Sequence, residues 1–186
     1  MEVVEKIKLL GVKIRSNLKW SDNTEFLFQK AMNKMWILRN LKKVGASKND
    51  LLDIYFKHCR SIVEYAVPVW NFGLTKSGIK KFERAQKIAM AIIEGKYTNY
   101  KSCLKKYNIF PLSERRKLIC ERFCDKLLKH DQFKKWFEPH TQENIRTTRN
   151  RKQNRMKNVP FKKYYFKNSP LPGLTDLVNN KTKFNK

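Results

Sequence analysis

Residues 75–95 read TKSGIKKFERAQKIAMAIIEG, and this run indicates the helical fold that we expect for most of the chain. Its apolar residues recur at spacings of three and four, which predicts an amphipathic helix with one buried stripe. That stripe consists of Ile79, Phe82, Ala85, Ile88, Ala89 and Ile92. Thr75 or Lys76 begins the predicted helix, and Gly95 stands where a left-handed residue commonly ends one.

Two further helices are predicted upstream of this run. The first begins at Ser21, as its capping residue, and continues to about Lys42. Its predicted buried positions are Phe28, Ala31, Met32, Met35, Leu38 and Leu41. The second opens at 47–50, which resembles a capping box, and Pro68 ends it because proline disfavours helical backbone in the residue before it. Its predicted buried positions are Leu51, Ile54, Tyr55, Cys59, Ile62 and Val63.

Shorter elements are predicted at both ends of this helical region. Residues 7–14 alternate around Gly11, which predicts a short strand or a hairpin. A short helix is predicted over 100–107, and another runs from Ser113, as its cap, to about His130. Its inward residues would be Leu118, Ile119, Phe123 and Leu127. Elsewhere in the chain, three tryptophans are predicted to lie in the core: Trp20, Trp36 and Trp70.

The composition changes after Pro139. From there to Lys186 the chain has 12 Lys and Arg against 2 Asp and Glu, with few apolar residues over 147–155. Such a segment cannot bury enough surface to offset its ordering entropy, so we expect a partly disordered basic arm. Within it, 168–172 is expected to be extended and 174–178 to form one helical turn.

The expected fold is therefore mainly α, with three regions. Residues 1–20 form a short β element, 21–138 a helical bundle, and 139–186 the basic arm.

Charge is the strongest compositional signal. The 186 residues carry a formal net charge of +26, which favours polyanionic partners, either nucleic acid or an anionic membrane surface. No apolar run approaches the roughly 20 residues that a transmembrane helix needs. No signal peptide is apparent, so we expect an intracellular protein, nuclear or cytoplasmic, whose four cysteines are reduced and mostly buried.

Seven segments, in order along the chain, resemble one family. They are 9–20 (LLGVKIRSNLKW), 51–55 (LLDIY), 60–70 (RSIVEYAVPVW), 74–76 (LTK), 82–87 (FERAQK), 112–116 (LSERR) and 164–178 (YYFKNSPLPGLTDLV). This series resembles the region after the palm domain in reverse transcriptases of non-LTR retrotransposons, the jockey/CR1-like group. The sequence departs from the family pattern at Arg15, where aspartate is usual, and at 23–24, where His-Ile is usual.

The resemblance implies a different role for each region of the chain. Leu10, Gly11 and Val12 would belong to a grip for the primer end, and the helices over 21–95 would be the thumb. The region from Tyr100 onward would help to hold template RNA and target DNA. A palm and fingers region would be a partner. Its paired aspartates would lie upstream of the segment that residues 9–20 resemble.

We expect no catalytic activity and no cofactor. Polymerisation needs carboxylates that hold paired metal ions, and the sequence has no Asp-Asp pair. Cys120, Cys124, His130 and His140 do not have the spacing of a zinc knuckle, so structural thiols are favoured over a metal site.

The expected activity is phosphate-mediated, largely sequence-independent binding of RNA, DNA or both. Lysine and arginine neutralise phosphates, and interleaved aromatic residues can stack on unpaired bases. The candidate binding residues are Arg39, Lys42, Lys43, Lys76, Lys80, Lys81, Arg84, Arg149, Arg151, Lys152, Arg155, Lys162 and Lys163. The alternatives are a solvated basic surface, a helical protein-interaction module, and a retroelement remnant without a nucleic-acid role.

Overall fold

The computed structural model describes residues 4–95, 99–137, 156, 166, 167 and 169–184. Its first half begins with strands β1 (Lys6–Leu9) and β2 (Val12–Arg15), followed by helix α1 (Ser21–Lys43). Next come α2 (Lys48–Ile54), a π-helical segment (Tyr55–Arg60), α3 (Ser61–Glu64), α4 (Val67–Trp70) and a 3₁₀ turn (Asn71–Gly73). The second half contains α5 (Lys76–Glu94), α6 (Tyr100–Lys106), α7 (Leu112–Lys129), α8 (Asp131–Lys134) and α9 (Pro170–Phe184).

The prediction of a mainly helical chain with an N-terminal β-hairpin is confirmed. The two strands pair antiparallel, with Leu9 opposite Val12 across a two-residue turn. Leu10 and Gly11 both have positive φ, at 45° and 82°, which is the backbone of a tight hairpin turn. The Tyr65 hydroxyl donates a hydrogen bond to the Leu10 carbonyl at 2.7 Å and so ties the turn to the bundle.

The centre of the bundle is the packing of α1 against α5. Thr75 caps α5 by accepting from the Gly78 amide at 3.1 Å, so α5 begins at Lys76, one of the two predicted first residues. Gly95 ends it at a φ of 78°, as the sequence predicted. The buried residues of α5 include Phe82, Ala85 and Ala89 from the predicted stripe. The stripe is displaced, however, because Gln86, Met90 and Ile93 are buried. Ile79 remains half-buried at one edge of the stripe, and Ile88 and Ile92 remain half-buried at the other.

Two predicted helix boundaries are wrong. Ser21 is the first residue of α1, and the capping position is Trp20, whose carbonyl accepts from the Thr24 hydroxyl at 2.7 Å. The helix that begins after Ser47 ends at Glu64, before Pro68, because the chain turns through left-handed backbone at Ala66. Pro68 then lies in the first turn of α4. An N–H at this position has no acceptor within the helix, so the missing N–H of proline costs no hydrogen bond.

Three further predictions on individual residues are wrong. The position before α7 is Pro111, so Ser113 does not cap it, and its amide donates to Glu83 Oε1 at 2.7 Å instead. Phe123 is partly exposed, because α7 turns Cys120 and Cys124 inward. Trp36 is 64% exposed on the outer face of α1, while the other two predicted core tryptophans are buried.

The C-terminal part of the chain returns to the bundle as a helix. We expected 168–172 to be extended and 174–178 to form a single turn, but α9 begins at Pro170 and has 15 residues. Leu174 and Val178 are buried against Cys124 and Leu127 of α7. Gly173 allows α9 to approach the 3₁₀ turn as well, since a Cβ there would lie 2.1 Å from Phe72.

No helix in the described ranges is long and apolar enough to span a bilayer. The expectation of a partly disordered arm concerns mainly residues 139–155 and 157–165, which lie outside the described residues.

Candidate nucleic-acid interface

A groove of about 1260 Å³ is lined by the last turns of α1, by residues of α5 from Ile79 to Gly95, and by Tyr100 and Cys103 of α6. Ile79, Ile88, Ile92 and Ala91 of α5 also line it, and we call the charged lining residues of α1 and α5 its rim. Its lining residues include Arg39, Lys42 and Lys43 of α1 and Lys80, Arg84 and Lys87 of α5. The structure therefore brings together five of the predicted binding residues from two distant parts of the sequence.

Five of these cations are exposed: Arg39, Lys43, Lys80, Arg84 and Lys87. Within the described residues, none of the five forms an ion pair with a carboxylate. Lys87 is absent from the predicted set, although it follows Lys80 by seven residues. That spacing is two helical turns, which places both residues on one face and identifies Lys87 from sequence alone.

Lys42 has a different environment from its neighbours. Its ammonium group donates to the carbonyls of Ile92 and Ile93, the latter at 3.4 Å, at the C-terminal end of α5. Cations stabilise a helix C-terminus because the last carbonyls are unpaired and carry partial negative charge. Gly95 leaves room for this contact, since a Cβ there would lie 2.6 Å from Lys42 Nζ. Lys42 thus links α1 to the C-terminal end of α5.

Two predicted residues of α5 lie outside the groove lining. Lys81 forms an ion pair with Glu25 of α1, and this contact lowers the pKa of the Glu25 carboxyl. Lys76 is exposed in the first turn of α5, where the partial positive charge of the helix N-terminus repels a cation. The binding role of both residues stays a prediction.

The groove has one carboxylate in its lining, Glu83, and its oxygens are already hydrogen-bonded. Oε1 accepts from the Ser113 amide at 2.7 Å, and Oε2 accepts from the Tyr100 hydroxyl at 2.8 Å. Burial and the bond to Glu83 raise the pKa of Tyr100 above its usual range. Glu83 therefore fastens α5 to α6 and α7 rather than pairing with a rim cation.

A second carboxylate holds the far end of α5. Glu94 accepts from Lys106 at 2.7 Å and from Lys48 at 2.9 Å, and the Tyr107 hydroxyl donates to the same carboxylate. These donors, with Lys106 contributing most, lower the pKa of Glu94 to about 2. The cluster ties α2, α5 and α6 together beside the groove.

The hairpin carries a separate basic surface. Lys8 and Lys13 lie directly opposite each other in the strand register, with their ammonium groups 5.4 Å and 4.5 Å from the centre of the Phe26 ring. Like charges in this arrangement repel, and the ring face offsets part of that repulsion. Of the grip-like residues, Leu10 is 82% exposed at the turn and Val12 is buried against the bundle.

The remaining predicted binding residues lie outside the described part of the chain. They are Arg149, Arg151, Lys152, Arg155, Lys162 and Lys163.

The described residues contain no group of three or more metal-ligating side chains. All four cysteines are buried and none forms a disulfide, as the sequence predicted. Burial raises the pKa of Cys120 to about 12, and Cys124 donates to the Leu174 carbonyl at 3.8 Å. These thiols contribute to packing.

No protein-family model, no curated protein and no solved structure matches this chain.

Proposed function

We propose that this chain is the non-catalytic, post-palm part of a non-LTR retrotransposon RNA-directed DNA polymerase, and that it binds RNA or DNA mainly through phosphates. The family assignment rests on the sequence resemblance described above. The binding proposal rests on charge, with one observation carrying it. Five exposed cations of α1 and α5 flank one groove, and no carboxylate in the described ranges pairs with them.

This grouping of unpaired cations lowers the stability of the fold. Arg84 and Lys87 repel each other three residues apart on one helix, and Lys80 and Arg84 do so four residues apart. Elsewhere on the surface, lysines such as Lys57 and Lys117 have carboxylates within 4.0 Å. A polyanion that lies along the rim would remove the repulsion and release its own counterions.

The test is the salt dependence of binding to a primer–template duplex. Each phosphate contact lowers the binding constant by about 0.9 log unit per log unit of salt. The triple variant Lys80→Gln, Arg84→Gln, Lys87→Gln should therefore have a slope shallower by about 2.7 if all three contacts are lost.

The matched control removes the same number of charges elsewhere, as Lys57→Gln, Lys117→Gln, Lys126→Gln. All three residues are exposed and lie outside the groove lining. The proposal predicts a nearly unchanged slope for this control. Equal slopes for both variants would show that binding depends on net charge and not on the groove rim.

A further inference from the structure

Trp36 differs from the other three tryptophans in its surroundings. It is 64% exposed on α1, whereas Trp20 and Trp70 are buried. The Trp70 indole donates to a backbone carbonyl at 2.9 Å, and the Trp136 ring lies edge-on to Phe133 with the centroids 5.0 Å apart. Among the described residues, Trp36 has neither a ring partner, nor a cation over its ring, nor an acceptor for its indole N–H. The ring is therefore available to a ligand.

The helix places cations on one side of Trp36 and amides on the other. At 3.6 residues per turn, Arg39 and Lys43 lie about 60° and about 20° to one side of it. Asn33 and Asn40 lie about 60° and about 40° to the other side. The five side chains therefore share an arc of about 120° on the outer face of α1, with Trp36 at its middle.

The cation side of this arc belongs to the proposed nucleic-acid interface. Arg39 and Lys43 line the groove, and no carboxylate in the described ranges pairs with either. Arg39 follows Trp36 by less than one turn of the helix, about 4.5 Å along its axis. A strand whose phosphate binds Arg39 therefore brings a neighbouring base to the Trp36 ring.

The amide side supplies hydrogen-bonding groups without partners. Within the part of the chain that the structure describes, the side chains of Asn33 and Asn40 form no hydrogen bond. An asparagine amide both donates and accepts, so it can pair with the edge of a base, and an aromatic face can stack on any base.

The polarity of this arc favours nucleic acid over a membrane or a protein partner. Surfaces that bind a bilayer or another protein have contiguous apolar patches. The exposed residues beside Trp36 are instead polar or charged, namely Asn33, Arg39 and Lys43.

We propose that Trp36 stacks on an unpaired base of single-stranded RNA or DNA, with phosphates of the same strand on Arg39 and Lys43 and base edges at Asn33 and Asn40. This inference rests on the proposed function, because it takes nucleic-acid binding as given and names the form of nucleic acid that α1 binds. A base inside a duplex has both faces covered by its neighbours and cannot take this position.

The test compares two oligonucleotides that carry the same phosphates. One is a labelled strand of about 16 thymidines, and the other is an abasic strand of the same length. Fluorescence anisotropy at about 150 mM salt measures both affinities. Trp36→Ala should weaken binding of the thymidine strand at least about fivefold and leave binding of the abasic strand unchanged, because the loss of one stacked base has an effect of this size or more.

Two variants control for the loss of an aromatic ring. Trp136→Ala removes a 53% exposed tryptophan that lies outside the arc, and it should leave both affinities unchanged. Trp36→Phe keeps an aromatic face and should recover part of the affinity for the thymidine strand. Circular dichroism and melting should be the same for both Trp36 variants as for the unmodified chain, because the residue is exposed.

Unchanged affinity for the thymidine strand in Trp36→Ala would overturn the stacking proposal, and so would an equal loss for both strands. Neither result alters the salt slopes that test the groove rim, so the proposed function is judged separately. Failure of the unmodified chain to bind either strand or the duplex would overturn both proposals.

A membrane role for Trp36 has its own readout. Vesicles of phosphatidylcholine and phosphatidylserine present anionic headgroups without bases. Loss of vesicle binding in Trp36→Ala, with binding of the thymidine strand unaffected, would assign the residue to a membrane surface and overturn the stacking proposal.

Discussion

The two sides of α5 have opposite characters. One side places Phe82 and Gln86 in the core, where Gln86 accepts from the Tyr55 hydroxyl at 2.8 Å and donates to Tyr100 and to the Phe110 carbonyl. The other side presents Lys80, Arg84 and Lys87 to solvent along the groove. The first side satisfies its polar groups internally, whereas the second carries charges that the described carboxylates leave unpaired. The difference separates the face of α5 that packs in the core from the face that we propose to bind nucleic acid.

The largest effect should come from the apolar part of the core face. Phe82 is fully buried, with its ring centroid 5.4 Å from that of Trp70. Phe82→Ala should lower the free energy of unfolding by about 3–5 kcal/mol, because it removes buried apolar area and leaves a cavity. Urea denaturation measures this change. A loss below about 1 kcal/mol would mean that α5 is not central to the fold.

The polar part of the same face should give a smaller effect. Gln86→Leu leaves the Tyr55 hydroxyl without its acceptor in a buried site, which should lower the free energy of unfolding by about 1–3 kcal/mol. Adding Tyr55→Phe removes the stranded hydroxyl. The double variant should therefore lose less than the sum of the two single losses, and strict additivity would show that the pair is not coupled.

The end of α5 should respond to pH. The pKa of Glu94 is lowered to about 2 in the folded state, so its contribution to stability is present above its unfolded value of about 4.5 and is lost as the pH falls towards 2. Melting temperatures from pH 2 to pH 7 should decline more steeply below pH 4.5 in the unmodified chain than in Glu94→Gln. Parallel curves would contradict the contacts assigned to this carboxylate.

The smallest effect on stability should come from the groove side. Arg84→Gln should change the free energy of unfolding by no more than about 0.5 kcal/mol, because the residue is exposed and its like-charged neighbours repel it. The same variant should weaken duplex binding at low salt. A clear loss of stability in urea denaturation would show that Arg84 stabilises the fold, as residues of the core face do.

Sequence reasoning predicts the helices whose signals are local. Thr75, Gly95 and Ser47 act where capping chemistry predicts, because each depends on a few neighbouring residues. It misplaces the end of the second helix, because the left-handed turn at Ala66 depends on the packing of Trp70, whose indole donates to the Tyr65 carbonyl at 2.9 Å. It also underestimates α9, giving it one turn at 174–178, because the apolar residues of this helix need the surface of α7 to be buried.

The candidate site is predictable only in part, for a similar reason. The basic residues of α1 and α5 are recognisable individually, but nothing local indicates that Arg39 and Arg84 face one groove. Nor does the sequence indicate that Lys42 binds the end of α5 or that Lys81 pairs with Glu25, since both contacts join residues about 50 positions apart.

The most direct test of the nucleic-acid proposal is the chemical reactivity of individual lysines in the presence of a primer–template duplex. Brief acetylation followed by mass spectrometry should show Lys43, Lys80 and Lys87 protected at least threefold by the duplex, while Lys57 and Lys117 react as in the free chain. Protection of all five lysines to the same extent, or of Lys57 and Lys117 alone, would contradict a binding surface on the groove side of α5.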